Sequence, residues 1–375
     1  MRINKTVTGL KIFLWQFLTI IACFGLVVLL VSAFSDRISP LTNIYLAYFG
    51  LFFPLILAFN FLFFIVWLIF RKWKQVLITL LAFILSWSSI QTYFPLHRKT
   101  KDIPENSIKI LTYNIMRFEN LKKHTKENPN PILQYVIDQD PDIVCFQEFG
   151  TAKKNKTELL MTDISKALKN MPYYHIESLK FPYDNYTFGL AIFSKYPILS
   201  TRRLPIDSEY NGSIVAELNV QGRTVTLINN HLESNKITAD ERSDYYNLTK
   251  DPNTQKLETL THTMFQRLTP AFKLRAGQAD LIADIIRDSK NPYIIVCGDF
   301  NDTPISYARR KIKGELLDAF VESGCGIGIS FNQNRFLFRI DYIFHSINIK
   351  SYNCTVGKLK NSDHYPVWTY LHFEE

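Results

Sequence analysis

The sequence predicts an α/β protein that follows three membrane-crossing helices. Three observations point there: long uncharged runs confined to the first hundred residues, alternating strand-like and helix-like segments after them, and polar side chains recurring at strand ends. Residues 12–34, 38–70 and 75–96 hold no charged side chain. Each run reaches the roughly 18 to 20 residues that cross a bilayer. Helices are therefore expected near 12–34, 44–70 and 75–94, within a membrane region spanning 1–96. A cleavable signal peptide does not explain the first run, which exceeds the usual apolar core of about 7–15 residues and is followed by two more.

The net charge of +9 does not mark a nucleic-acid binder. Residues 1–101 carry ten Lys or Arg against Asp36 alone, which accounts for the whole excess, and residues 102–375 are balanced. Arg2, Lys5 and Lys11 precede the first run, and Arg71, Lys72 and Lys74 link the second to the third. The positive-inside rule puts both clusters in the cytoplasm and, after three crossings, the C-terminal part outside it. Arg98, Lys99 and Lys101 oppose this, but long following domains translocate largely regardless of charge. Of the five cysteines, Cys23 lies in the first run, and Cys145 and Cys297 read as small hydrophobes in apolar strands. Cys325 and Cys354 could pair in an oxidising compartment, and no spacing fits a zinc site.

A polar linker is expected over 97–105 and a second domain over 106–373. Ile108–Asn114 alternates as a strand ending on Asn114, on its own a turn former. Residues 131–139 carry apolar side chains at helical spacing until Asp140-Pro141 breaks the helix. The apolar strand 142–148 ends on Glu148, a carboxylate that requires either a salt bridge or a metal. Segments 158–169, 188–194, 213–220 and 223–230 continue the alternation, with a sharp turn at 195–197 and a hairpin at Gln221-Gly222. The return strand ends on His231, either a hydrogen-bonded structural residue or a functional one. Residues 235–254 are polar, with Asp251-Pro252 and Asn253 as breakers. From 255 to 288 the pattern is helical, and Pro270 is expected to kink or divide it. This long insertion either covers a site, lies against the membrane or is solvated.

The short β-branched run Tyr293–Cys297 reads as a buried strand leading into Gly298-Asp299-Phe300-Asn301. On an extended segment Asp299 and Asn301 would face one side, their oxygens available to a hard divalent ion or a phosphate-bound water. Taken alone, such a segment is a strand end and cap. Residues 338–344 form a strand with Asp341 in mid-run, and His364, just before the last strand 367–373, is a candidate partner. Strand ends thus supply Asn114, Glu148, His231, Asp299, Asn301, Asp341, Asp363 and His364. With no Cys or Ser among them, the set suits oxygen-ligated Mg²⁺ rather than zinc. Such a set can direct water at a phosphate, with Glu148 holding the metal and Asp341 orienting His364 in its protonated form.

The ordered segments Tyr113-Asn114, Gln147-Glu148, 189–194, Asn230-His231-Leu232, Gly298-Asp299-Phe300-Asn301, Ile340-Asp341-Tyr342-Ile343 and 362–366 resemble the endonuclease/exonuclease/phosphatase superfamily of deoxyribonuclease- and sphingomyelinase-like phosphoesterases. The resemblance covers nearly all of 106–373. It implies a four-layer α/β sandwich, two packed β-sheets flanked by helices. It also implies that Glu148 is the principal Mg²⁺ ligand (Mn²⁺ as a substitute), assisted by Asn114, with Asp363 a ligand or orienter. Asp299 and Asn301 would place the water and contact the phosphate, and His364 with Asp341 would form the family's His–Asp pair. His231 would contact the phosphate or protonate the leaving oxygen, and Glu177 would support it. The general base is left between Asp299 and His364.

The expectation is a membrane-anchored, Mg²⁺-dependent phosphoesterase of a bacterial inner or plasma membrane, its catalytic domain extracytoplasmic or periplasmic. Its partners would be the bilayer and a phosphoester, whether nucleic acid, phospholipid or a small molecule, with no protein partner implied. The competing readings are a nuclease, a phospholipid phosphodiesterase and a non-catalytic membrane scaffold. The balanced charge of the second domain lacks the basic bias a nuclease uses. Gln16, Asn60 and Ser86-Ser88-Ser89 are too few polar groups within the spans for a sensor.

Overall fold

The computed structural model describes residues 2–180, 183–206, 208–250, 254–333 and 336–374. At the N-terminus α1 (Arg2–Ala33) is, among the described residues, the one helix long and apolar enough to cross a membrane unaided. The other two apolar runs are not straight spans. α2 (Ile44–Leu51) and α3 (Phe53–Ile69) meet at 58°, and α4 (Trp73–Leu85) and α5 (Trp87–Tyr93) at 66°. Pro54, in the first turn of α3, has no N–H to return to Gly50, so the helical ladder is interrupted where α2 stops. With its 17 residues α3 extends about 26 Å, near the minimum for a crossing.

This helical segment rests on the second domain. Tyr48 of α2 stacks on Phe265, with ring centroids 5.1 Å apart, and its hydroxyl lies 2.8 Å from Thr269 Oγ1. A Cβ at Gly50 would fall 2.2 Å from the Ile305 carbonyl oxygen, so only glycine allows this approach. Ile305 itself is buried among Leu29, Ala33, Phe53 and Tyr93. Residues 96–100 are docked too: Leu96 bridges to Cys325, His97 N–H donates to the Gly324 carbonyl, and the Asn353 amide exchanges two hydrogen bonds with Thr100.

The strands are β1 (Ile108–Asn114), β2 (Ile143–Ala152), β3 (Tyr173–Ser178), β4 (Tyr186–Ser194), β5 (Ile198–Arg203), β6 (Gly212–Val220) and β7 (Arg223–His231). They continue with β8 (Tyr293–Asp299), β9 (Leu317–Asp318), β10 (Phe331–Gln333), β11 (Phe336–Phe338), β12 (Asp341–His345), β13 (Ile349–Val356) and β14 (Val367–Phe373). One sheet runs β13-β14-β1-β2-β4-β3, the other β5-β6-β7-β8-β12-β9, and β10-β11 is a separate hairpin. The sheets pack face to face through their apolar sides, Ile110, Ile143, Cys145 and Ile192 against Leu227, Ile295, Cys297 and Ile343. Helices Pro131–Gln139 and Met161–Ala167 cover the first sheet. Tyr307–Lys313 and the end of Thr254–Arg287 cover the second, completing four layers. Cys145 and Cys297 are core residues as their apolar runs suggest, and all five cysteines are free, so Cys325 and Cys354 are not bridged.

Several local expectations change. The insertion helix Thr254–Arg287 is not divided at Pro270, because Ala271, Phe272, Arg275, Ala276 and Ala279 on one face are buried and hold it across the missing hydrogen bond. The polar stretch before it contains a helix, Ala239–Lys250, while the breakers 251–253 fall outside the described residues. The strand expected over 338–344 is split, and Asp341 opens β12 instead of lying in mid-run. After β1, Met116–Leu121 all have positive φ, a left-handed turn pinned by buried Phe118 and by Asn130 Nδ2 donating to the Phe118 carbonyl.

Candidate active site

Parallel pairing of β7 with β8 sets His231 opposite Asp299, and antiparallel pairing of β8 with β12 sets Asp299 opposite Asp341. Three polar tips thus lie side by side at one edge of the second sheet. Gly298 permits this: its φ is +128°, and a Cβ there would strike the Asn230 carbonyl oxygen at 2.0 Å. From the first sheet Asn114 ends β1 opposite Gln147. Glu148 follows at a β-bulge, where the β2–β4 register shifts between Phe146 and Phe149 and Glu148 takes φ +49°. A bulge bends a strand and re-aims a side chain, which turns Glu148 out of the pleat and into the gap between the sheets. His364 arrives on the loop before β14, its backbone N–H bonded to Ser362 Oγ, which in turn donates to the Asn114 carbonyl.

These residues meet. Asn114 Nδ2 donates to Glu148 Oε1 and to Asp299 Oδ2, both at 3.1 Å. His364 Nδ1 lies 2.9 Å from Asp341 Oδ2, and its Nε2 3.5 Å from Asp299 Oδ2. His231 Nε2 is 3.6 Å from Asp299 and 3.9 Å from Glu148. Asn301 N–H donates to Asp299 Oδ1 at 2.8 Å, and its side chain to the Leu232 carbonyl. Asn301 has φ +52°, so a tight turn brings it to Asp299 where an extended segment was expected. Asp363 lines the same cavity as Glu148. Asp341 is buried behind His364 and does not line the cavity.

Glu177 is elsewhere. On β3 it contacts His175 at 3.4 Å and Arg203 at 3.9 Å, so it does not support His231. Missed from the sequence were Arg275, fully buried with Nε on Asp302, and Phe331, whose ring meets His364 edge-on at 5.1 Å. Gln147 and Asn229 were missed as the buried bridge between the sheets, Gln147 Nε2 donating to Asn229 Oδ1 at 2.6 Å. An amide on the inward face of an otherwise apolar strand is the signal that marks such a bridge.

The electrostatics divide the groups. Burial pushes Asp299 up to about 6, with Asp341 adding to the rise and His364 and His231 opposing it. Loss of solvent, then the charge of Asp363, raises half-buried Glu148. Burial lowers His231, which outweighs Asp299. Burial alone would lower His364 as well, but Asp341 and Asp299 hold it well above the usual imidazole range. His364 is therefore an imidazolium near neutrality and His231 is neutral. Asp299, Asp341 and His364 offer donor atoms within 4.8 Å of one another, a set that could also grip a cation. With both His364 nitrogens facing carboxylates, a proton already satisfies it. Glu148 and Asp363 differ: among the described residues neither forms an ion pair with a Lys or Arg. Two carboxylates that share no Lys or Arg ion pair and face only the His364 charge and, more weakly, Arg117 are oxygen donors that fit a hard divalent ion.

The first sheet, the second sheet and this convergence of polar tips define a hydrolase of phosphoester bonds when set beside known proteins. A model of the Endonuclease/Exonuclease/phosphatase family matches residues 111–364, and the chain belongs to that family. Its enzymes depend on a divalent metal. A second model, a domain of unknown function (DUF8431), matches residues 11–93. No curated protein matches the chain. Among solved structures it is similar to an endonuclease/exonuclease/phosphatase from Beutenbergia cavernae DSM 12333, with 14% identity, a TM-score of 0.49, and 74% of this chain and 72% of that one covered. It is also similar to the human Nocturnin catalytic domain with bound sulfate anion, with 17% identity, a TM-score of 0.49 and coverage of 71% and 93%. A family protein from Bacteroides vulgatus gives 17% identity, a TM-score of 0.48 and coverage of 72% and 99%.

Proposed function

We propose that the chain is a membrane-anchored, Mg²⁺-dependent phosphoesterase whose 106–373 domain works outside the cytoplasm, joined by the 97–105 linker to a membrane region at 1–96. The observation that carries the chemistry is the chain of contacts from Glu148 through Asn114 to Asp299 and on through His364 to Asp341. Glu148 with Asp363, and Asn114 beside them, would hold the ion, and all-oxygen donors suit Mg²⁺ or Mn²⁺. When bound, the ion supplies neutralisation of phosphoryl charge. His364, kept protonated, donates to a phosphoryl oxygen, and Asp341 is its positioning residue. Asp299, raised to about 6 yet ionised at neutral pH, orients the water and accepts its proton. Asn301 fixes the Asp299 carboxylate, and neutral His231 contacts the phosphate or the leaving oxygen.

Orientation draws support from packing. Asp36, in the turn between α1 and α2, lies 3.7 Å from Arg310 of the second domain. On this reading that turn and the domain share one side of the bilayer, opposite the basic N-terminus. The test is hydrolysis of plasmid DNA, phospholipid vesicles and inositol phosphates in parallel, with Mg²⁺ and with chelator. Turnover of at least one, lost with chelator and in Asp299→Ala and His364→Ala at unchanged melting temperature, is expected. No Mg²⁺-dependent turnover of any would leave the scaffold reading.

A further inference from the structure

We infer that the substrate is an amphiphilic phosphoester, and that its hydrocarbon tail lies on an apolar wall built jointly by the membrane segment, the insertion helix and the β10–β11 hairpin. This rests on the phosphoesterase reading above. One cavity of about 240 Å³ contains both the polar tips and this wall, formed by Leu51, Met264, Leu268, Phe272, Phe336 and Phe338. Three parts of the chain far apart in sequence supply those six side chains. An ester that is polar throughout would gain nothing from them, whereas a tail gains a factor of about four for each methylene it removes from water.

The wall is fixed in place and continuous with the reacting end. Tyr48 locks α2 to the insertion helix by stacking on Phe265, by meeting Phe272 edge-on at 5.5 Å and by its hydroxyl on Thr269. Gly50 brings α2 against the Ile305 carbonyl, which sets Leu51 over the cavity. At the inner end Phe331 of the hairpin touches the His364 ring. At the outer end exposed Phe52 and Leu55 continue from Leu51 onto α3, so a tail can pass from bilayer to wall along apolar side chains.

Nucleic acid fits less well. Aromatic side chains can stack bases, but a strand also needs free cations along its backbone. Of the three Lys and Arg side chains lining the cavity, Arg275 is paired with Asp302 and Lys236 with Glu233, which leaves Arg242, bonded to the neutral Ile237 carbonyl, as a single cation rather than a row. In the hydrolysis, water oxygen bonds to phosphorus as one P–O ester bond breaks. One water proton ends on the leaving alkoxide, giving the alcohol, and the remaining hydroxyl stays on the phosphate product.

The test uses the full chain in lipid nanodiscs with Mg²⁺ and the ethyl, octyl and tetradecyl esters of 4-nitrophenyl phosphate, following nitrophenolate release. The tetradecyl ester is expected to exceed the ethyl ester at least a hundredfold in kcat/KM. Partition into the disc raises that ratio for any variant, so the wall is read from its change. Leu268→Gln should lower the ratio at least tenfold. Leu274→Gln, exposed on the same helix outside the cavity, should not. Should Leu268→Gln melt early, Phe336→Ser decides in its place. Ethyl ester turnover with a ratio below threefold, or a ratio that neither wall variant changes, overturns the tail site and leaves the phosphoesterase standing. Faster cleavage of a single-stranded oligonucleotide than of every ester does the same. No turnover of these esters, of the oligonucleotide or of inositol phosphates with Mg²⁺ or Mn²⁺ removes the phosphoesterase reading itself.

Discussion

Asp341→Asn separates positioning from structure with a change of one atom. The Asp341 carboxylate faces His364 Nδ1 at 2.9 Å, both side chains are buried, and Asp341 does not line the cavity. For a hydrogen-bonded carboxylate and imidazolium with charge centres about 4 Å apart, an effective dielectric of about 20 gives an attraction of about 4 kcal/mol. Asparagine keeps an oxygen at the same place and recovers about 1 kcal/mol as a neutral hydrogen bond. The remaining ~3 kcal/mol is lost from the form of His364 that holds phosphoryl charge, which corresponds to a fall in kcat of roughly 150-fold. Because Asp341 touches neither the metal carboxylates nor the cavity, Mg²⁺ affinity should stay within about threefold of wild type. The assay is steady-state hydrolysis of bis-4-nitrophenyl phosphate by the full chain in detergent, with kcat and KM resolved and Mg²⁺ titrated. A loss under about tenfold, or a loss residing wholly in KM, would refute the assignment of His364 as a charged donor held by Asp341.

Glu148→Gln should weaken Mg²⁺ binding by at least about a hundredfold, since a supporting partner of a ligand is already worth 10–100-fold; calorimetric titration checks this, and unchanged affinity moves the metal to Asp299, Asp341 and His364. Acid stability should depend on Asp318, which burial would raise but Arg309 and Arg339 hold below the usual carboxylate range. A depressed folded-state value contributes its stability in full above the unfolded value near 3.8 and loses it as pH falls through the folded value. Asp318→Asn, which leaves Arg309 buried and unpaired, should lower stability near neutrality by about 3 kcal/mol and flatten the acid limb. Urea unfolding across about pH 2 to 7 reads both, and an unchanged acid slope counts against the pair. Cys325 is the exposed native thiol of the second domain, so a membrane-impermeant maleimide should label it in intact spheroplasts and fail with Cys325→Ser. Labelling only after lysis would reverse the orientation.

Much of the site was legible because each polar tip ends or interrupts an apolar run, where a charged or amide side chain has no packing role. Asn114, Glu148, His231, Asp299 and Asp341 all stand out that way, and strand registers bring them together. What alternation could not show was departure from regular backbone. The bulge that aims Glu148, the left-handed Asn301 and the early start of β12 at Asp341 depend on φ values and pairings with distant strands. Glu177 was misplaced because the order of strands, not their sequence, decides which histidine it meets. The apolar runs fall where the structure has hydrophobic helices, but composition has no direction, and so the bends at Phe52 and Ser86 were hidden in it.

Those bends change what the helical region is. A straight span from 44 to 70 would keep every apolar side chain in lipid and leave the domain hanging from a linker. Because the ladder stops at Pro54, eight residues of α2 fold over the insertion helix and bring Leu51 to the cavity that holds His364. The segment following Asp299 is gripped from the other side: Asp302 by Arg275, its carbonyl by the Tyr342 hydroxyl, and Ile305 by Leu29, Phe53 and Tyr93. Thr303, between these fixed points, lines the cavity. The backbone that presents Asp299 and Asn301 is thus clamped between the sheet core and the N-terminal helices. A separable anchor needs neither Gly50 against Ile305 nor Tyr48 on Phe265, and their presence ties the geometry of the reacting groups to the helices beside them.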